Sequence, residues 1–361
     1  MLKDAVPLGD LARALVVKLG HHGDVLLASP VPAVLRARAP QLEVDALVYD
    51  DTAPMLAGHP SIARVHAVGR RWRDGGVFAR LGAERRLFAA LRARRYDLIV
   101  HLCEHPRGAW LARTLGARYS VAPSVPQRPA FWARSFSHRY PLPRNGRRHQ
   151  VELNLDALRR IGVQPAEDER RVTFAPGADA EARVEALLAE HGLAGRDYIH
   201  VHPASRWQIK CWPAGKNARL IERLASDGER IVLTASQDAG EMALIDEILR
   251  QPVAGAVSFA GRLSVAELGA LTARAKLFIG VDSMPMHLAG AMGTPSVALF
   301  GPSGEIEWGP WRVPSRVVTS AHACRPCGND GCGGGKISEC LTLLPVDAVH
   351  RAARELLAQA R

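Results

Sequence analysis

Four segments of the chain place polar and charged side chains directly after short apolar runs. In the first, the run Lys276 to Val281 stops at Asp282–Ser283, a small-residue helix follows from about Pro285 to Met292, and a second apolar run spans Ser296 to Phe300. That is strand, turn, helix, strand. Its polar residues stand at the carboxyl end of a parallel strand, where open α/β sheets bind ligands. Ser283 is placed to cap the helix, whose N–H groups favour an anion or a ribose hydroxyl. Met286 and His287 lie in the same helix, where a satisfied core histidine is the plain alternative for His287.

The second segment is His202–Pro203–Ala204–Ser205–Arg206, followed by Lys210 and Trp212 before a helix near Ala214. Lys210 and Arg206 can neutralise a pyrophosphate there, and Ser205 can donate to it. The third runs from Thr234 to Asp238 and includes Glu241, whose carboxylate could accept from ribose hydroxyls or be an ordinary acid of a first helical turn. The fourth is Gly20–His21–His22–Gly23–Asp24, where two glycines allow a ligand close to the backbone. Asp24 is either the cap of the helix that follows or a general base for a hydroxyl. No G-x4-G-K-[ST], D-x-D, G-x-S-x-G or strand-borne G-x-G-x-x-G occurs. A nucleotide-handling enzyme without these motifs holds a leaving phosphate with protein cations and helix ends. The expectation is therefore no metal at the site and no cofactor.

At 361 residues the chain can fill two domains. With 47% hydrophobic and 23% charged residues its composition is that of a globular protein. No apolar run approaches the roughly 20 residues that span a bilayer. The first twenty residues hold early acids and no apolar core, so a cytoplasmic protein is expected. The net charge is +11, and the base is almost all arginine. Between Glu104 and Glu152 there is no acid, yet nine arginines occur, Arg128 and Arg134 among them. Such a field attracts phosphates, acidic lipid or nucleic acid, or is a solvated basic loop. Aromatics are sparse there and no nucleic-acid module accompanies them, so no nucleic-acid partner is expected. Four of the six cysteines, Cys324, Cys327, Cys332 and Cys340, form C-x2-C-x4-C-x7-C. The spacing leaves a structural metal, a redox pair and plain reduced thiols all open.

Strand candidates are Ala14–Leu19, Glu43–Tyr49, Arg64–Val68, Asp97–Leu102 and Arg118–Val121 in the first half. In the second they are Tyr198–His202, Arg230–Thr234, Ala256–Phe259, Lys276–Val281, Ser296–Leu299 and Arg316–Val318. Helical stretches separate them, including a single helix from Val25 to Arg38, and the proline-punctuated segment 123–148 reads as largely loop. Alternation of this kind means parallel, doubly wound sheets. The polar stretch 162–171 is the best linker. The expected layout is two doubly wound α/β domains facing across a cleft, over 1–165 and 166–345, with a helix at 346–361 packing back on the first.

The segments GDVLLASPVPAVLRARAP, HPASRWQIKCWP and GVDSMPMHLAGAMGTPSVALFGPSGEIEWGPW resemble glycosyltransferase family 9, the ADP-heptose:lipopolysaccharide heptosyltransferases. The wording D-S-x-P-M-H, with C-x-P-C-x4-C after it, is most similar to the heptosyltransferase III members. The match runs in order through nearly the whole chain. The resemblance implies a GT-B fold with an acceptor domain first and a donor domain second. It also implies an inverting, metal-independent transfer of heptose from ADP-heptose to the lipopolysaccharide inner core. By motif, Asp24 would be the base, Lys210 would contact the donor phosphates and Ser205 would be the small hydroxyl residue before that lysine. Glu241 would bind ribose, and Asp282, Ser283 and His287 would fill the donor-binding D-[TS]-x-x-x-H. His21 and His22 depart from the family's small residues, and either could touch acceptor phosphate. The arginine tract would meet the acidic core lipid at the inner face of the inner membrane. Two other classes stay open: a GT-B enzyme for another nucleotide sugar, transferase or epimerase, and a non-enzymatic polyanion binder.

Overall fold

The computed structural model describes residues 4–70, 76–193, 195, 197–253 and 255–359. It divides into two compact units, Met1–Ala175 and Pro176–Arg361. In the first, the elements are β1 (Arg13–Val17), α1 (His22–Leu26), α2 (Pro30–Arg38), β2 (Glu43–Tyr49), β3 (Arg64–Val68) and α3 (Val77–Ala93). They continue with β4 (Leu98–His101), α4 (Arg107–Thr114), β5 (Tyr119–Ser124), α5 (Ala130–Arg134), β6 (His138–Pro141) and α6 (Gln150–Arg160). Among the described residues the strands form one six-stranded sheet in the order β3-β2-β1-β4-β5-β6, parallel at every pairing. The runs ALVV and LIVH are buried along their whole length, as central parallel strands must be when helices cover both faces.

The second unit contains α7 (Ala178–Glu190), β7 (Ile199–His202), α8 (Ala214–Ser226), β8 (Ile231–Leu233), α9 (Ala239–Leu249), β9 (Ala256–Ser258) and α10 (Val265–Arg274). It continues with β10 (Leu277–Val281), α11 (Met284–Ala291), β11 (Ser296–Leu299), α12 (Glu305–Trp308), β12 (Ser315–Val318), α13 (Glu339–Thr342) and α14 (Val346–Gln359). Its described strands are again parallel, in the order β12-β11-β10-β7-β8-β9. Numbered within each unit, both sheets run 3-2-1-4-5-6. The chain therefore reverses its direction of travel between β1 and β4, and again between β7 and β10, which is where doubly wound folds bind nucleotides. Gly280 lets β10 approach β7: a Cβ there would stand 2.9 Å from the His202 carbonyl oxygen.

Several expectations shift. The single helix over 25–38 is two, because Pro30 cannot donate to the preceding turn and instead opens α2. The segment 123–148 contains α5 and the edge strand β6. That strand alternates buried and exposed residues and ends on Pro141, and so lacks a buried-strand signature. The stretch 162–171 is not a free linker. Arg38–Glu169 at 2.7 Å and Arg170–Glu152 at 3.3 Å tie it to the first unit. The last helix, expected to pack back on the first domain, spends its apolar face on its own unit. Val349, Ala353 and Leu356 join Trp212, Ile221 and Leu224 in one core. Residues 360 and 361, the end of that expected helix, lie outside the described residues.

Asp45 is the polar anchor of the first unit. It is fully buried in β2 and accepts from Tyr96 Oη and Arg94 Nε, both at 2.7 Å, with His66 at 3.4 Å. Burial alone would raise its pKa, but bonds from His66, Arg94 and Tyr96 hold it at about 2. A carboxylate lowered on folding stabilises the protein above its unfolded pKa of about 3.9 and loses that contribution as pH falls toward 2. Asp45→Ala, which leaves Arg94 half-paired in the interior, should cost about 3–5 kcal/mol near neutral pH. Thermal melting of wild type and variant across pH 2–7 checks this, with the gap expected to narrow below about pH 4.

Candidate active site

In the second unit the polar residues gather just beyond the carboxyl ends of β7, β8 and β10. The β7–β10 register pairs Gly280 with His202, so the chains leaving the two strands emerge side by side. One carries Lys210 on a short 3-10 turn, the other Asp282, and the lysine Nζ donates to Asp282 Oδ2 at 2.6 Å. Asp282 is buried and Lys210 one-quarter exposed, so the ammonium is pinned at the sheet's edge and not swinging in solvent. Ser205 is buried in the same loop. Its N–H donates to Cys211 Sγ at 3.2 Å and its hydroxyl accepts from Trp207 N at 3.2 Å. Burial pushes the Cys211 thiol up to about 11, so the sulfur stays a neutral brace for this loop.

One strand over, Asp238 caps α9 by accepting from Gly240 and Glu241 N–H. Glu241 is thereby free of the capping duty. Its carboxylate turns back to accept from Ser236 N at 2.8 Å and stands 3.8 Å from His202 Nε2. Two readings of the α11 segment change. Ser283 occupies the cap position, but its hydroxyl donates to the Val281 carbonyl at 3.3 Å and makes no capping bond. Met286 is not brought to this edge: it is fully buried with Phe278, Ala289 and Phe300. His287 is buried beside Trp308, ring centroids 6.4 Å apart, and Arg206 is exposed.

In the first unit, the loop after β1 holds Asp24 in the first turn of α1. Its Oδ2 accepts from His21 N at 2.9 Å, which is the capping geometry. Gly20 is required here, since a Cβ would come within 2.8 Å of the Asp24 Cβ. His21 is exposed and His22 half-buried. Arg70, which no sequence signal marked, braces this loop by donating to the Gly20 carbonyl at 2.6 Å while lying 4.2 Å over the Tyr49 ring.

The arginine tract is less bare than its sequence. Arg107, Arg144 and Arg148 pair with Glu84, Glu104 and Asp156, acids at or beyond the ends of the acid-free segment. Arg128 donates to the Glu104 carbonyl at 2.6 Å, while Arg134 is exposed on α5. The cysteine segment leaves Cys324, Cys327 and Cys332 exposed and Cys340 buried. Among the described residues no three His, Cys, Asp or Glu side chains are arranged to hold a metal ion.

Two doubly wound units of this order, with charged loops at both reversal points, have the architecture of GT-B glycosyltransferases. A family 9 glycosyl transferase from Veillonella parvula matches with a TM-score of 0.83 at 21% identity, over 96% of this chain and 98% of that one. The Escherichia coli heptosyltransferase WaaC, solved with ADP, matches at 0.75 and 21%, over 95% and 99%. In sequence, residues 84–337 match the model of glycosyltransferase family 9 (heptosyltransferase). The lipopolysaccharide heptosyltransferase 3 of Escherichia coli is 35% identical over 295 residues, 80% of this chain and 84% of the relative. The chain belongs to glycosyltransferase family 9.

Cys103 stands just past β4 at the first unit's reversal point. Burial raises its pKa, but the His101 ring at 3.7 Å and nearby backbone groups bring it to about 7. Mass-spectrometric mapping of iodoacetamide labelling against pH should find Cys103 reacting with a midpoint near 7 and Cys211 only near 11. Equal midpoints for the two would refute the contrast.

Proposed function

We propose that the chain transfers a heptosyl group from ADP-heptose to the inner core of lipopolysaccharide, with inversion and with protein cations carrying the leaving charge. The observation behind this reading is the Lys210–Asp282 pair set beside the Glu241 carboxylate at one sheet edge, in a chain of a heptosyltransferase family. The second unit, on this reading, holds the donor. Lys210 and Arg206 face the pyrophosphate, Ser205 donates to it, Glu241 accepts from the ribose, and Asp282, Ser283 and His287 line the same edge.

The first unit holds the acceptor, with His21, His22, Arg128 and Arg134 toward its phosphates. Asp24 takes the proton of the attacking hydroxyl. The hydroxyl oxygen bonds the anomeric carbon as the carbon–phosphate oxygen bond breaks, and ADP departs with the bonding pair. One displacement inverts the anomeric centre. Spreading the leaving charge over Lys210 and Arg206 lowers the barrier where charge develops.

The direct test is incubation with ADP-heptose and truncated core lipids, reading product mass and linkage. A product only from another nucleotide sugar overturns the donor assignment. In the same assay, Asp24→Ala should lower turnover by roughly 10²–10⁴-fold with donor affinity nearly unchanged. Lys210→Ala should raise the donor Kd instead.

The acceptor is a lipid, and this reading includes contact with an anionic membrane face. No described helix is long and apolar enough to cross a membrane. The first unit nevertheless exposes Phe78, Leu81, Trp110 and Phe131, of which Leu81 and Trp110 line an apolar cavity of about 350 Å³ between α3 and α4. The Trp110 and Phe131 ring centroids are 4.9 Å apart, and Arg113 lies 4.8 Å over Phe131. Exposed Arg134 follows Phe131 on α5, and exposed Arg85 and Arg86 follow Leu81 on α3. Apolar rings beside arginines suit an anionic bilayer surface. Flotation with anionic vesicles should show binding that falls with salt and with Trp110→Asp. Binding indifferent to both would remove this face from the proposal.

A further inference from the structure

Strand β7 is fully buried, yet two of its four residues are histidines, His200 and His202, on the same face of the sheet. They belong to a line of polar groups. Thr272 Oγ1 lies 2.6 Å from the Leu268 carbonyl and 3.1 Å from His200 Nδ1. His200 Nε2 lies 2.7 Å from Thr234 Oγ1, which lies 2.8 Å from His202 Nδ1. His202 Nε2 then faces Glu241 Oε2 at 3.8 Å. Burial pushes His202 down to about 3 and His200 well below its ordinary value. Both rings are therefore neutral, with one N–H each.

Counting protons fixes the direction of this line. The Leu268 carbonyl and an ionised Glu241 only accept. Two hydroxyls and two ring N–H groups supply four protons, and the line has five contacts. One contact must go without, and the only one beyond hydrogen-bond length is His202–Glu241. Thr272 then donates to Leu268, His200 Nδ1 to Thr272, Thr234 to His200 Nε2, and His202 Nδ1 to Thr234. His202 Nε2 is left as a lone pair beside a carboxylate.

We infer that His202 Nε2 is a second acceptor in the donor-ribose site, so that the vicinal diol of a ribonucleotide donates to Glu241 and His202 together. This rests on the reading of Glu241 as the ribose carboxylate. Two adjacent acceptors repel until donors arrive, and a diol brings two. The side chains of His202 and Glu241 are largely buried, keeping 4% and 8% of their surface. The remote Thr272 hydroxyl sets the polarity. Without it, three protons serve three contacts, and the line can reverse so that His202 donates to Glu241 and blocks the site.

The test uses the full chain with ¹⁵N-labelled histidine. Long-range ¹H–¹⁵N spectra, assigned with His200→Gln and His202→Gln, should show protons on Nδ1 of both rings. Added ADP should shift His202 Nε2, and 2′,3′-dideoxy-ADP should leave it in place. In titrations, the wild-type preference for ADP over the dideoxy nucleotide should fall by roughly 3- to 10-fold in Thr272→Val and persist in Thr272→Ser. A proton on His202 Nε2, or a preference untouched by Thr272→Val, overturns this inference and leaves the ribose role of Glu241 standing. Equal wild-type affinity for the two nucleotides overturns both. The spectrum of the unaltered chain decides the polarity even if a variant fails to fold.

Discussion

The parallel pairing of β7 with β10, and of β1 with β4, is the constraint on which the rest depends. Strands inside a doubly wound sheet have helices on both faces, so their side chains have no route to water. A ligand can be met only where the chain leaves the sheet. At the reversal points the loops of two adjacent strands diverge to opposite faces and leave a crevice between them. Lys210 and Asp282 meet at 2.6 Å because the β7–β10 register brings Gly280 opposite His202. A one-residue slip of that register would point every side chain of the strand to the other face. The Cβ-free Gly280, close against the His202 carbonyl, is part of what permits this approach.

Buried polar groups are placed on both sheets, and two sets of them, Asp45 and the β7 histidines, are matched to partners. Asp45 collects an arginine, a tyrosine and a histidine, so its charge is retained in the interior. The two histidines of β7 are handled oppositely: they stay neutral and are threaded between threonines. The first arrangement serves stability, since an unpaired interior charge is far costlier than a paired one. The second orients a lone pair. The arginine tract shows the same economy at the surface, where acids from α3, α6 and the end of β4's loop answer three of its nine cations. The exposed rings near Arg113 and Arg134 then form a mixed apolar and basic face.

The alternation of strands and helices, the parallel class of both sheets and the loops bearing Asp24, Ser205, Lys210, Glu241 and Asp282 were all legible in the residues. They were legible because continuous apolar runs bounded by glycine, proline and acids have few other foldings. The edge strand β6 was not, for its burial alternates and the prolines at its end, Pro141 and Pro143, read as loop. Met286 looked like a site residue by its place beside Asp282, and only packing showed it turned into the core with Phe278 and Phe300. Ser283 sat at a cap position, yet which acceptor its hydroxyl chose was a matter of three-dimensional geometry.

Sequence by itself, then, determined two doubly wound units, the family motifs and the residue types offered at each strand end. Local chemistry and periodicity reach that far because they concern neighbours along the chain. Tertiary structure alone decided that Lys210 is locked to Asp282 across 72 positions, that Arg70 braces the Asp24 loop, and that Cys103 has a depressed pKa. It also decided that His200, Thr234, His202 and Thr272 form one hydrogen-bonded line. Those facts depend on which strands lie side by side, and hydrogen bonds and electrostatics act over ångströms in space with no regard to distance along the chain.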